Sequence, residues 1–214
     1  MKWKPILVLA IAVILAGCGS FGASKGTLRY SGPSEATLHA GETIPGTNIK
    51  VLEVSKDGAK FDIDGQTAKK LNGDSVDWKG SISDGVEMNL HYRIVWLGKD
   101  SVKLAGTTSL NISNATPQQE NWDGKAPLRF KLPVTYFVKK GSRIPGTTLS
   151  YKGKTDKGAE IGGVEGYPYR KAADSIVWTG KLRDNVHLKL VVRVGAYTNS
   201  VLQVVGLATV GVQP

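Results

Sequence analysis

Cysteine is nearly absent. The chain has 214 residues and one cysteine, which excludes an intrachain disulfide framework and a Cys-based zinc site. Three histidines, His39, His91 and His187, are too few and too scattered for a His-rich metal cluster. The sequence holds no Gly-x-Ser-x-Gly elbow, no P-loop and no His-Glu-x-x-His. Asp57, Asp62, Asp64 and Asp100 lack the spacing of a calcium loop. No catalytic residue, metal site or cofactor is therefore expected. No apolar run reaches the ~18 residues of a membrane helix, and no stretch of 12 or more residues carries an amphipathic helical period.

What is present begins at the N-terminus. Lys2 and Lys4 precede an unbroken apolar run from Ile6 to Leu15, followed by Leu15-Ala16-Gly17-Cys18 and then Gly19-Ser20. A positive start, an apolar middle and small residues at a cleavage point make up a secretory signal. The Leu-Ala-Gly-Cys string resembles the lipobox of bacterial lipoproteins, a resemblance confined to the first twenty or so residues. It implies that Cys18 becomes the first residue after cleavage and carries acyl chains, enough to hold the protein on a membrane outside the cytoplasm. With Gly19 rather than Asp after the cysteine, the resemblance implies the outer membrane where a cell has two. Residues 18–26 are small and polar, and read as a flexible tether.

The rest of the chain is one unit written twice. Gly41-Glu42-Thr43-Ile44-Pro45-Gly46-Thr47 returns as Gly141-Ser142-Arg143-Ile144-Pro145-Gly146-Thr147, and Asp74-Ser75-Val76-Asp77-Trp78-Lys79-Gly80 as Asp174-Ser175-Ile176-Val177-Trp178-Thr179-Gly180. Arg29, Asp84, Arg93 and Gly106 meet Arg129, Asp184, Arg193 and Gly206, always 100 residues on. Across 88 aligned positions 19 are identical, and only the stretch near 62–66 needs a slip. The layout is a signal at 1–17, the tether at 18–26, repeat one at 27–114, a connector at 115–126 and repeat two at 127–214.

Each repeat reads as strands. Val86, Met88, Leu90, Tyr92, Ile94 and Trp96 alternate with polar residues, and Val186, Leu188, Leu190, Val192 and Val194 keep the pattern. Ile44-Pro45-Gly46-Thr47 fits a type II turn. Asp84-Gly85 and Asp184-Asn185 fit hairpin tips whose second residue takes positive φ. The expected fold is all-β: two tandem, duplicated antiparallel domains of six or seven strands, near 27–31, 35–39, 47–54, 59–64, 75–82, 86–97 and 102–112 in the first. A sandwich and a barrel both fit. Trp78 and Trp178 share parity with core positions. Asp74/Asp174 and Asp84/Asp184 sit where turns use aspartate, and Arg93/Arg193 where a cross-strand ion pair is expected.

Charge separates the two units. Repeat one carries 10 basic and 11 acidic residues, repeat two 14 and 5, so that repeat two alone is strongly cationic, at +9. Such a field recruits anions. The candidate binding residues are Arg170, Lys171, Lys189 and Arg193 with the aromatic Tyr167 and Tyr169. The expectation is a lipid-anchored envelope protein with a binding or structural role. Repeat two would dock an anionic polysaccharide, a glycolipid or an acidic envelope protein; an extracytoplasmic setting disfavours nucleic acid. The alternatives are a glycan hydrolase with a site between the repeats and a scaffold subunit of an envelope assembly.

Overall fold

The computed structural model describes residues 26–214. The signal, Cys18 and most of the tether lie outside them. The described chain is all-β, with antiparallel sheets in two similar halves. The first half comprises β1 (Leu28–His39), β2 (Lys50–Ser55), β3 (Gly58–Ile63), β4 (Gln66–Lys70), β5 (Ser75–Ser83), β6 (Val86–Leu97) and β7 (Ser101–Ile112). The second comprises β8 (Gln118–Gln119), β9 (Leu128–Lys139), β10 (Ser150–Thr155), β11 (Gly158–Gly162), β12 (Tyr169–Arg170), β13 (Ser175–Arg183), β14 (Val186–Tyr197) and β15 (Val201–Val212).

Each half has a large sheet of long strands, ordered β1-β7-β6-β5 in the first and β8-β13-β14-β15-β9 in the second. Each also has a small sheet, β2-β3-β4 or β10-β11-β12. The sheets are open and do not close into barrels. Period-two patterning does the positioning. Val86, Met88, Leu90, Tyr92 and Ile94 are buried while Glu87, His91, Arg93 and Val95 are exposed, and β14 repeats the alternation. Val51, Ala59 and Phe61 of one small sheet and Tyr151, Ala159 and Ile161 of the other join the same core, so each small sheet covers the inner face of its large one.

Local devices recur 100 residues apart. Thr47 N–H donates to Ile44 O at 3.0 Å and Gly46 has φ +80°, the type II turn expected from Pro45-Gly46; Thr147 and Gly146 repeat it. Asp74 Oδ2 accepts from Leu71 N–H at 2.8 Å and Asp174 Oδ2 from Lys171 N–H at 2.7 Å, so both aspartates hold turns. Trp78 and Trp178 lay their rings over Gly80 and Gly180, where a Cβ would collide with the indole. Gly106 and Gly206 are repeated for another reason: a Cβ there would strike the backbone of β6 or β14. Even the bulges recur, at Ser81/Ser83 and Lys181/Arg183, and at Ile94/Trp96 and Val194/Ala196.

Several expectations change. The first two strands of repeat one are a single strand, Leu28–His39, because Pro33 lies in an edge strand where no ladder donor is missed. A further strand, β4, follows a tight turn at Asp64-Gly65, both at positive φ. The corresponding stretch of repeat two is a longer loop that leaves only two residues for β12; the slip expected near 62–66 is not needed, because Ala59↔Lys70 and Ala159↔Arg170 keep the 100-residue offset across it. Gly85 takes positive φ at its hairpin tip but Asn185 does not, although both hairpins carry the same bulge. The connector is not a bare linker. Gln118 and Gln119 pair with Lys181 and Gly180, adding a strand to the second sheet.

The halves share one core. β1 and β9 lie against each other without ladder pairing, with Gly32 next to the ring of Pro133. Leu128 reaches Gly46, and Leu28 and Tyr30 reach Gly146, so each half's first strand packs under the other's type II turn. The hairpin tips also meet. Arg183 donates to Asp84 Oδ2 at 2.5 Å and to Ser113 O at 2.8 Å, and Asn185 Nδ2 donates to Ser83 Oγ at 2.8 Å.

Candidate functional site: the outer face of the second sheet

The ladder register fixes which side chains share the outward face of each large sheet. Four rows cross the second sheet from β13 to β9: Ser175–Arg193–Val205–Thr135, Val177–Val191–Leu207–Pro133, Thr179–Lys189–Thr209–Lys131 and Lys181–His187–Gly211–Arg129. No acidic residue stands in any of them. The second row is wholly apolar and open to solvent, with Val177 58% and Leu207 50% exposed. It spans four strands, roughly 14 Å at the usual strand spacing. Cationic rows flank it, with Arg193 on one side and Lys189 and Lys131 on the other. Among the described residues none of these three cations has an acidic partner within ion-pair distance.

The first sheet presents the same rows with other chemistry. They read Ser75–Arg93–Ala105–Glu35, Asp77–His91–Thr107–Pro33, Lys79–Asn89–Ser109–Ser31 and Ser81–Glu87–Asn111–Arg29. Asp77, His91 and Thr107 stand where Val177, Val191 and Leu207 stand. His91 Nδ1 lies 3.1 Å from Asp77 Oδ1, and Lys103 pairs with Glu35 at 2.9 Å. The charges there are mixed: Glu35, Asp77 and Glu87 share the rows with Arg29, Lys79 and Arg93, although among the described residues these three cations form no ion pair.

The connector closes one end of the second face. Trp122 lies over Gly211, stacks on His187 at 5.6 Å between centroids, and donates from Nε1 to Lys125 O at 2.9 Å. His187 Nε2 meets Glu120 at 2.9 Å. His187 is thus on the outward side of β14 but roofed by the connector. Asp123 is held below the usual carboxylate range, chiefly by the backbone N–H of Lys125.

The residues singled out from sequence fall into two groups. Lys189 and Arg193 are on the outer face just described. Tyr167, Tyr169 and Arg170 belong to the β11–β12 segment, in the layer behind it. There the two tyrosine rings meet edge to face at 5.3 Å, and Lys157 Nζ stands 5.4 Å from the centre of Tyr169. Arg170 spends its guanidinium on its own loop, donating to Tyr167 O at 2.5 Å and Tyr169 O at 3.0 Å. Lys171 is exposed beside the Asp174 turn. The six are thus not one site. Arg93 and Arg193 also depart from expectation: among the described residues neither forms a cross-strand ion pair, and Arg93 instead donates to Gly73 O at 3.0 Å. The physical reason is register, since Arg193 faces Ser175 and Val205 and meets no acid. Sequence reading missed Lys131, Val177, Val191 and Leu207. Their signal was present in the outward positions of the repeat, where polar residues of the first unit change to apolar or cationic ones in the second.

A site between the repeats was the other possibility. An open groove of about 640 Å³ does run past the two hairpin tips, lined by Asp84, Asn114, Gln118, Arg183, Asp184 and Gln213 among others. Both carboxylates stand in solvent and each is occupied, Asp84 by Arg183 and Asp184 by Lys181. Among the described residues no three His, Cys, Asp or Glu side chains are grouped to hold a metal ion. No family model matches the sequence, and neither a curated protein nor a solved structure matches it significantly.

Proposed function

We propose that the protein is a lipid-anchored binding module of the bacterial envelope whose second half docks an acidic partner. The observation that carries the reading is the contrast between two equivalent faces. One scaffold, folded twice, carries rows of balanced charge on the outer face of the first half and rows with cations but no acid on that of the second. Lys189 and Arg193 on β14 and Lys131 on β9, two strands away, share one face without acidic partners, an excess of positive charge that an anionic partner relieves. Cys18 supplies the anchor, and confinement to a surface lets individually weak contacts suffice.

The two parts are tested separately. The N-terminal peptide of protein purified from its native membranes is expected to begin at Cys18 and to carry a thioether-linked diacylglycerol by mass spectrometry. An unmodified peptide extending upstream of Cys18 contradicts the anchor. For docking, the full chain is retained on an anionic matrix and released with salt. The variant Lys131→Gln, Lys189→Gln, Arg193→Gln is expected to elute at clearly lower salt than the variant Arg29→Gln, Lys79→Gln, Arg93→Gln, which loses the same charge from the first half. Equal elution contradicts a docking face on the second.

A further inference from the structure

The cationic rows alone suit any polyanion, but they are interrupted by an apolar row. Single exposed aliphatic residues are ordinary on a protein surface. A contiguous line through Val177, Val191, Leu207 and Pro133, extended by Val205 in the next row, is different, because Asp77, His91 and Thr107 show that the same scaffold accepts polar residues there. A soluble polyanion gains nothing from that row. An interface of anionic headgroups over acyl chains meets both features at once: aliphatic side chains enter the headgroup layer while lysine and arginine beside them pair with phosphate. The face is the outer side of an open sheet rather than a cleft, so it suits an extended surface more than a small ligand.

We infer that the outer face of the second sheet docks on an anionic lipid surface. Val177, Val191 and Leu207 seat against the headgroup layer, and Lys131, Lys189 and Arg193 bind its phosphates. This rests on the reading of the second half as the docking half and names its partner. The connector marks one border of the contact, because Trp122 and Glu120 cover His187 and Gly211 and leave the three remaining rows free. The first half, whose corresponding rows balance Asp77, Glu35 and Glu87 against Arg29, Lys79 and Arg93 and carry no apolar row of this kind, offers the same surface no comparable attraction.

The experiment uses the full chain with Cys18→Ser, so that a single introduced cysteine can carry an environment-sensitive fluorophore. Thr209→Cys places it between Lys189 and Lys131, and Thr107→Cys places it on the first half's face. Vesicles contain either phosphatidylcholine alone or a mixture with phosphatidylglycerol, and soluble polyphosphate is the third probe. The expected result is a blue shift and brightening at position 209 on phosphatidylglycerol vesicles only, with none at 107. Lys131→Gln with Lys189→Gln is expected to weaken the response about 25-fold in lipid concentration, roughly fivefold per charge. Val191→Asp with Leu207→Asp is expected to abolish it while the melting temperature is retained. The inference is overturned by a silent probe at 209, by equal responses at 107 and 209, or by equal responses on the two vesicle types. A response to polyphosphate equal to that on vesicles overturns it too, and leaves the broader acidic-partner reading standing.

Discussion

The two halves share a backbone plan down to their bulges, yet the first is the more polar on both faces of its large sheet. In the first half, hydroxyls sit on the inside. Ser34 and Thr108 bond at 2.6 Å, and the Tyr92 hydroxyl meets Thr108 Oγ1 at 3.1 Å in the core. The second half has Val134, Ala208 and Val192 at those positions, all buried. The outside shows the same direction, with Asp77, His91 and Thr107 in the first half against Val177, Val191 and Leu207 in the second. Burial demands only that inner polar groups find partners, so the inner difference is a matter of packing. An exposed aliphatic row gains nothing in water. The outer difference is the one that the proposed docking role of the second half accounts for.

The largest expected effect tests what the halves share. Gly106→Ala and Gly206→Ala each drive a methyl group into the backbone of the neighbouring strand, and each is expected to cost about 3 kcal/mol or more by denaturant unfolding. Because the core is continuous, either change should shift one cooperative transition of the whole described body. Two separated transitions, only one of them moved, would show that the halves unfold independently.

A smaller effect tests how the halves differ at their edges. β8 lies along β13 at Gly180 and Lys181, while β5 is the edge of its sheet. Correspondingly Trp178 is 2% exposed and Trp78 only half-buried, although both indoles are bonded, Trp178 Nε1 to Thr148 at 3.0 Å and Trp78 Nε1 to Asn48 at 2.8 Å. Trp178→Ala is expected to cost about 4 kcal/mol and Trp78→Ala about half as much. Equal losses would mean that the extra strand adds no burial of consequence.

The smallest effect concerns Tyr30, whose counterpart is Phe130. The Tyr30 hydroxyl is buried and has no hydrogen-bond partner. Burial, with Tyr136 nearby, pushes its ionisation well above the usual tyrosine range, and burial also raises Tyr136. A raised acid favours the protonated form in the fold, so this contribution is complete below the unfolded-state value near 10 and is lost as pH rises beyond it. Tyr30→Phe is expected to stabilise the protein by about 1 kcal/mol at neutral pH and to make the alkaline fall in stability shallower. A loss of stability would show that the hydroxyl is satisfied after all.

Much of this was legible in the sequence. Period-two alternation in 86–97 and 186–197 gave the long strands, and the 100-residue offset gave the two halves. Pro45-Gly46 gave the type II turn, and the parity of Trp178 gave its burial. What was not legible depended on pairing between distant segments. Nothing in Gln118-Gln119 announces a strand, because two residues carry no period; the edge of β13 makes them one. Arg170 and Arg193 look alike as letters, yet one is consumed by carbonyls of its own loop and the other is left free by a register that sets it against Ser175 and Val205. The proposed docking face was half visible in Lys189 and Arg193. Its other half, Lys131 on β9 and Leu207 on β15, joins them only once β14, β15 and β9 are laid side by side.

The most direct test of a docking face on the second half is lysine footprinting in native membranes. A water-soluble acylating reagent is applied to membranes that carry the full chain and, separately, to the purified protein in solution, and modification is read by mass spectrometry. Lys131 and Lys189 are expected to be protected in membranes and reactive in solution, while Lys79 and Lys103 of the first half react alike in both. Equal reactivity of Lys131 and Lys189 in the two settings would contradict the account.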